Sequence, residues 1–317
     1  MTRVATFAQS QNLIEQVLRN QRNLNDAQVK VASGRRAQEF ADLPRETGAL
    51  LGAKSVAART EGYLQGNREV AQRLDLYNAA LGELAGIADG LREDVIKAVN
   101  LNSGVGFIDK LKNHFERAAA LLNTRYQNSY IFAGSRTDTP PVNQSTAAGF
   151  LALGSAGAVF ANNDRKTSVQ VDETQTLEIG MVADDAASPL MSALYRILQF
   201  NAGTLPAGAG AFGPAGAFSD PLTANQRDFL VAEFGNLVAG VQGARAAEAQ
   251  NGVRMQAIDQ LMERQEGDLA FLKRFAAGIE DVDITEAVTR LKRDEIALEA
   301  SLSVTARIGR LSLLDFI

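Results

Sequence analysis

Leu230, Phe234, Leu237, Val241, Ala244, Met255, Ile258, Met262, Leu269, Leu272 and Ala276 recur in alternating steps of four and three. Glu248, Asn251 and Gln265 fill the remaining seam positions. A spacing held this long marks a helix lying along other helices. At about 1.5 Å per residue, Leu230 to Ala276 makes a rod of about 70 Å. The chain must supply helical partners for it or find them in another molecule. Glu248 and Asn251 have two readings: they face solvent or neighbouring side chains in a loose bundle, or they set the register of the seam.

Partners are present in the same chain. Residues 7–31 carry Phe7, Ile14, Val17, Leu24 and Val31 on one seam and end at Ser33-Gly34, with Pro44 as a later stop. A second helix is predicted from Thr47 to Asn100, with Tyr63, Val70, Leu74, Tyr77, Leu81, Leu84, Ala88, Leu91, Val95 and Ala98 inside and Asn67 as a polar intruder. Glycines 62, 66, 82, 86 and 90 lie within it, either tolerated by the bundle or marking close approach of a neighbour. A third helix is predicted over Phe107–Tyr126, with Ile108, Leu111, Phe115, Ala118 and Leu122 on one face. Several such helices suggest antiparallel bundle neighbours.

The texture changes after Tyr126. Pro140 and Pro141 forbid helix, and Tyr126, Tyr130 and Phe132 are expected to pack at the junction of a body with an insert, with direct contact to a neighbouring subunit as the alternative. From 142 to 187 the pattern predicts strands. Val169 and Val171 alternate with polar residues, as do Leu177, Ile179 and Met181, around a turn at 172–176. Phe150–Leu153 and Ala158–Phe160 are candidate short strands. Ser188-Pro189 reads as a helix start, 201–220 as a glycine-rich loop without a phosphate-cradle motif, and Thr223 with Gln226 as a capping box opening the rod. The rod should break at Gly278. Asp283 then caps a last helix carrying Ile284, Val288, Leu291, Leu298, Leu302, Ile308 and Leu311.

The expected fold is therefore mainly α, an elongated helical bundle or coiled coil with a small β-rich insert. Residues 1–40 with 284–317 form the paired end helices, 41–141 with 188–283 the helical body, and 142–187 the insert. Burying about a dozen seam residues does not offset the ordering of two such helices. They are expected to order against equivalent helices of other copies.

The same residues argue against other classes. A net charge of −5 opposes nucleic-acid binding. With no cysteine and His114 as the single histidine, a zinc site is not expected. Asp184-Asp185 and Glu280-Asp281 with Asp283 read as solvated acids and helix caps. No nucleophile, base and orienter come together, so neither an enzyme nor a cofactor is expected. Residues 1–7 show no apolar leader core, and no apolar run approaches the roughly 18 residues of a membrane span.

Helical ends, a helical body and a β insert resemble the flagellin superfamily. Leu24 to Arg36, ending Ala32-Ser33-Gly34-Arg35-Arg36, is similar to its amino-terminal motif, although Asp42-Leu43-Pro44 replaces the usual paired Asp before Pro. Tyr130-Ile131-Phe132-Ala133-Gly134-Ser135-Arg136-Thr137-Asp138-Thr139-Pro140-Pro141 and the start Arg3-Val4-Ala5-Thr6 resemble its hook–filament junction branch. Ser301 to Ile317 resembles junction proteins and filament subunits alike. The resemblance implies a secreted structural adaptor of the bacterial flagellum. Its partners would be hook-associated protein 1, flagellin, copies of itself in a ring and a flagellar export chaperone. A flagellin-type filament subunit is the alternative, and a coiled-coil part of another secretion apparatus a weaker one.

Overall fold

The structure is a computed structural model describing residues 2–37, 39 and 46–314, with side chains at 11–37, 39 and 46–307. The predicted stop at Pro44, the Asp42-Leu43 departure and the side chains of Phe7, Ile308 and Leu311 lie outside the described residues. The chain is mainly α, as the periodicity predicts, and among the described residues it holds two two-stranded sheets, one of them within the predicted insert. It divides into two compact units, Met1–Glu61 with Gly267–Ile317, and Gly62–Glu266.

The Gly62–Glu266 unit holds a large continuous core. Helix α2 (Thr47–Leu101) contributes its predicted seam from Val70 to Ala98, while Tyr63 is half-buried. Helix α3 (Phe107–Leu122) buries Leu111, Phe115, Ala118 and Leu122 but stops short of the expected Tyr126. Asn123 ends it, because its side chain pairs with an extended segment. Its Nδ2 donates to the Val142 carbonyl at 3.0 Å, and its Oδ1 accepts the Val142 N–H at 3.0 Å. Tyr126 therefore falls in β1 (Arg125–Tyr126), paired with β2 (Ser129–Tyr130) across Gln127 and Asn128, whose φ angles are 47° and 66°. Positive φ at both central residues suits a two-residue hairpin turn.

The segment 142–187 holds less strand than expected. Phe150–Leu153 falls mainly in a helix, α4 (Ala147–Ala152), capped by the Thr146 hydroxyl. Gly157–Val159 is one 3-10 turn, and Phe160 makes a single bridge to Val142. Phe150 explains the correction. It is fully buried, stacked on Phe115 at 4.4 Å and edge-on to Tyr195 at 5.2 Å. A short apolar run reads alike for a buried helix and a strand. The hairpin of β3 (Ser168–Gln170) and β4 (Thr176–Glu178) forms as the alternation predicts, its turn one residue earlier. Val142, Phe150, Val171 and Ile179 join the core of the helices around them.

Three helix boundaries also differ. Helix α5 (Ala183–Asn201) begins before Ser188, so Pro189 lies inside it. Its ring seats on Gly243, where an added Cβ would come within 3.2 Å of Pro189 Cγ. That packing accompanies the hydrogen bond that proline cannot donate. The capping box is present, but it opens a short helix, α6 (Ala224–Ala232), to which Leu230 belongs. The rod itself is α7 (Phe234–Glu280), separated by Glu233, whose side chain turns inward to Arg196. Gly278 does not end it, since the helix runs two residues further.

Asn67, Asn251 and Gln265 are buried and hydrogen-bonded rather than solvated. Asn67 Nδ2 donates to the Val171 carbonyl and to Gln265 Oε1, both at 2.9 Å, and Gln265 Nε2 donates to the same carbonyl at 3.0 Å. This buried triangle ties α2, α7 and the end of β3 together. Asn251, fully buried, donates to the Leu74 carbonyl at 2.8 Å. Glu248 lies against Gly82, where a Cβ would meet its Oε1 at 3.3 Å. Among the α2 glycines, Gly82 and Gly90 carry close approaches, and 62, 66 and 86 are open.

Gly90 makes room for His114, whose Nε2 lies 2.9 Å from Asp94 Oδ2, while Lys110 Nζ donates to Asp94 Oδ1 at 2.8 Å. Burial alone would raise the Asp94 carboxyl. The hydrogen bonds and charges of Lys110 and His114 outweigh it and hold the group below its ordinary value. A depressed folded pKa stabilises above the unfolded value, near 3.9, and the contribution fades as pH falls through the folded one. Asp94→Asn is expected to cost about 1.5 kcal/mol at pH 7, a deficit that shrinks below about pH 4. Urea midpoints across pH check this.

Candidate assembly interface

Helix α1 (Thr2–Ser33) ends at Gly34, whose N–H reaches the Lys30 carbonyl at 2.9 Å and whose φ is 69°. The next residues pair with the joint between α7 and α8 (Ile284–Leu314). Arg36 N–H donates to the Glu280 carbonyl at 2.7 Å and Val282 N–H to the Gly34 carbonyl at 3.0 Å, around an Arg35–Asp281 bridge. Asp283 Oδ1 then caps α8 by accepting the N–H of Thr285 at 2.8 Å and of Glu286 at 3.3 Å. This is the cap the sequence predicts.

With one end pinned, α1 packs along α8. Asn20 Nδ2 donates to the Ala297 carbonyl and Ser301 Oγ, each at 3.2 Å. Val17, Leu24, Val31, Val288, Leu291 and Leu298 are half-buried, whereas Ile14, Ile284 and Leu302 remain 50–53% exposed. Ala27 and Ala287 are the buried residues of the pair among those described. The two helices meet within one chain, yet their seam stays open.

The imbalance extends over the unit. Among the described residues, the buried apolar side chains of Met1–Glu61 with Gly267–Ile317 are Ala27, Leu50, Ala53, Ala276 and Ala287. Its exposed large ones are Ile14, Leu18, Leu51, Val56, Phe271, Phe275, Ile284, Ile296, Leu302 and Val304. Among the described residues one leucine and four alanines make no core, and uncovered apolar surface of this extent is uncommon on a monomeric protein. The predicted seam residues Phe234, Met255, Leu269 and Leu272 are half-buried, and Leu230, Leu237, Val241 and Ile258 buried. Sequence reasoning missed Phe271 and Phe275. They lie off the seam but four apart, a second stripe on the same helix.

The 125–141 segment sits in the other unit. Phe132 is buried edge-on to Tyr77 at 5.1 Å, and the Tyr77 hydroxyl donates to the Ile131 carbonyl. Pro141 is buried, Pro140 exposed, Tyr126 bonds Gln72 at the surface, and the Arg125 guanidinium covers the Tyr130 ring at 4.3 Å. Gly134 is needed there. Its φ is 67°, and a Cβ would fall 2.4 Å from the Asn163 carbonyl oxygen. Gly134→Ala is expected to lower stability by about 1–3 kcal/mol in urea unfolding.

Residues 4–137 match the family model of the bacterial flagellin N-terminal helical region, and residues 245–317 match that of the C-terminal helical region. The chain belongs to the flagellin superfamily. The family expected from Ser33-Gly34-Arg35-Arg36 and Ser301–Ile317 is borne out, and it gives the chain a structural role in the bacterial flagellum. A comparison with curated proteins finds no match. Two solved structures share the fold of this superfamily member. One is described as a flagellar hook-associated protein from Vibrio parahaemolyticus, 16% identical, with a TM-score of 0.60 over 76% of this chain and 100% of that one. The other is Bacillus cereus FlgL, 10% identical, with a TM-score of 0.52 over 72% and 98%. Among the described residues, no helix is long and apolar enough to cross a membrane.

Proposed function

We propose that this flagellin-superfamily chain is the adaptor joining hook-associated protein 1 to the flagellin filament, secreted after handling by an export chaperone. Copies of it would form a ring through α1 and α8. The observation that carries the reading is the exposed apolar surface of the unit that holds both helices and, among the described residues, buries one leucine and four alanines. Ile14, Ile284 and Leu302 would gain burial from other molecules, which makes ordering and assembly one coupled step. The Tyr130–Pro141 segment and the hook-associated name of the Vibrio parahaemolyticus fold relative support a junction place over a repeating filament place.

Gold-labelled antibody against the purified protein tests this on isolated flagella. Label is expected at the boundary of hook and filament alone. Label spread along the filament would instead make the chain a filament subunit.

A further inference from the structure

Two exposed faces of the Met1–Glu61 with Gly267–Ile317 unit carry one pattern with opposite charge. On α7, Phe271, Arg274 and Phe275 are exposed at i, i+3 and i+4 and therefore share a face. On α8, Ile296, Glu299 and Ala300 repeat that spacing, also exposed. Phe271 is 61% and Ile296 66% exposed, more than any described seam residue predicted for the end helices. Neither Arg274 nor Glu299 has an ion-pair partner among the described residues. Within the chain α8 packs along α1, bonded through Ala297 and Ser301, so its Ile296 face is left over.

We propose that the Phe271–Arg274–Phe275 face of α7 binds the Ile296–Glu299–Ala300 face of α8 in a neighbouring copy of the chain. This rests on the assembly reading above and names one copy-to-copy contact within it. The rings and Ile296 supply burial, and the Arg274–Glu299 pair supplies direction. Pairing like faces would set Arg274 against Arg274, or Glu299 against Glu299, which is disfavoured. A contact between two different faces leaves one of each free, so it repeats into a ring or a helical array.

The chain has no cysteine, so introduced thiols report contacts cleanly. Gly278 lies on the Phe271 stripe, and a Cβ there meets nothing within 4 Å. Gly278→Cys and Ala300→Cys chains, carrying tags of different size, are produced in the same cells, and their isolated flagella are mildly oxidised. The mixed disulfide dimer is expected to exceed either like dimer about tenfold. Arg274→Glu in the first chain should lower it about tenfold, and Glu299→Arg in the second should restore it. Incorporated protein with mixed and like dimers in equal amounts overturns this contact and leaves the assembly reading standing. Absence of both chains from the flagella overturns both.

Discussion

Removal of residues 302–317 is expected to leave the Gly62–Glu266 unit folded and to abolish filament growth. None of the described side chains of 302–307 belongs to the core cluster, which runs from Val70 to Leu261. The melting transition reporting that core should stay in place. What the deletion removes is the far part of α8, including Leu302, half exposed, and the sequence that resembles the carboxyl end of the superfamily. Ser301, the partner of Asn20, becomes the last residue, so the α1–α8 pair loses its continuation as well as its apolar face. Electron microscopy should find hooks without filaments and the truncated protein free in the medium. Normal filaments from the truncated chain would contradict assembly through α8, and a collapsed melting transition would show that the end helices support the body after all.

The helical framework was legible because seam spacing and local punctuation agree. Thr47, Ser33-Gly34, Thr223 with Gln226 and Asp283 mark helix ends in the structure close to where they stand in the sequence. Errors fall where long-range packing overrides local pattern. Phe150 reads as a strand residue until Phe115 and Tyr195 are seen to enclose it in a helix. Pro189 reads as a helix start until Gly243 is seen to receive its ring within one. Asn67, Asn251 and Gln265 read as intrusions until their carbonyl partners, Val171 and Leu74, are located. Of the proposed assembly surface, the spacing marks only the seams of α1 and α8. A heptad search selects what packs inside a bundle, so it passes over Phe271, Phe275 and Ile296, which face out.

Arg196→Met is expected to cost the Gly62–Glu266 unit about 3–5 kcal/mol. Glu233 is 2% exposed, at the joint of α6 and α7. Arg196 Nε donates to both its carboxylate oxygens at 2.9 Å and Nη2 to Oε1 at 2.6 Å, while Nη1 donates to the Ala207 carbonyl at 2.7 Å. The hydrogen bonds of Glu233 raise the Arg196 pKa against the effect of burial, so the guanidinium stays charged through the accessible range. Methionine keeps much of the stem's packing and leaves a buried carboxylate with Asn236 Nδ2, at 2.6 Å, as its side-chain donor. The cost comes from that stranded charge rather than from the attraction lost. Arg196→Met with Glu233→Leu should therefore recover most of the stability, a result that additive losses would not give. Lys97→Met sets the scale: its pair with Glu93 is 59–60% exposed, and its loss should cost less than about 0.5 kcal/mol. Urea unfolding of the three variants separates the cases, and a loss below about 1 kcal/mol in Arg196→Met would mean that water reaches Glu233.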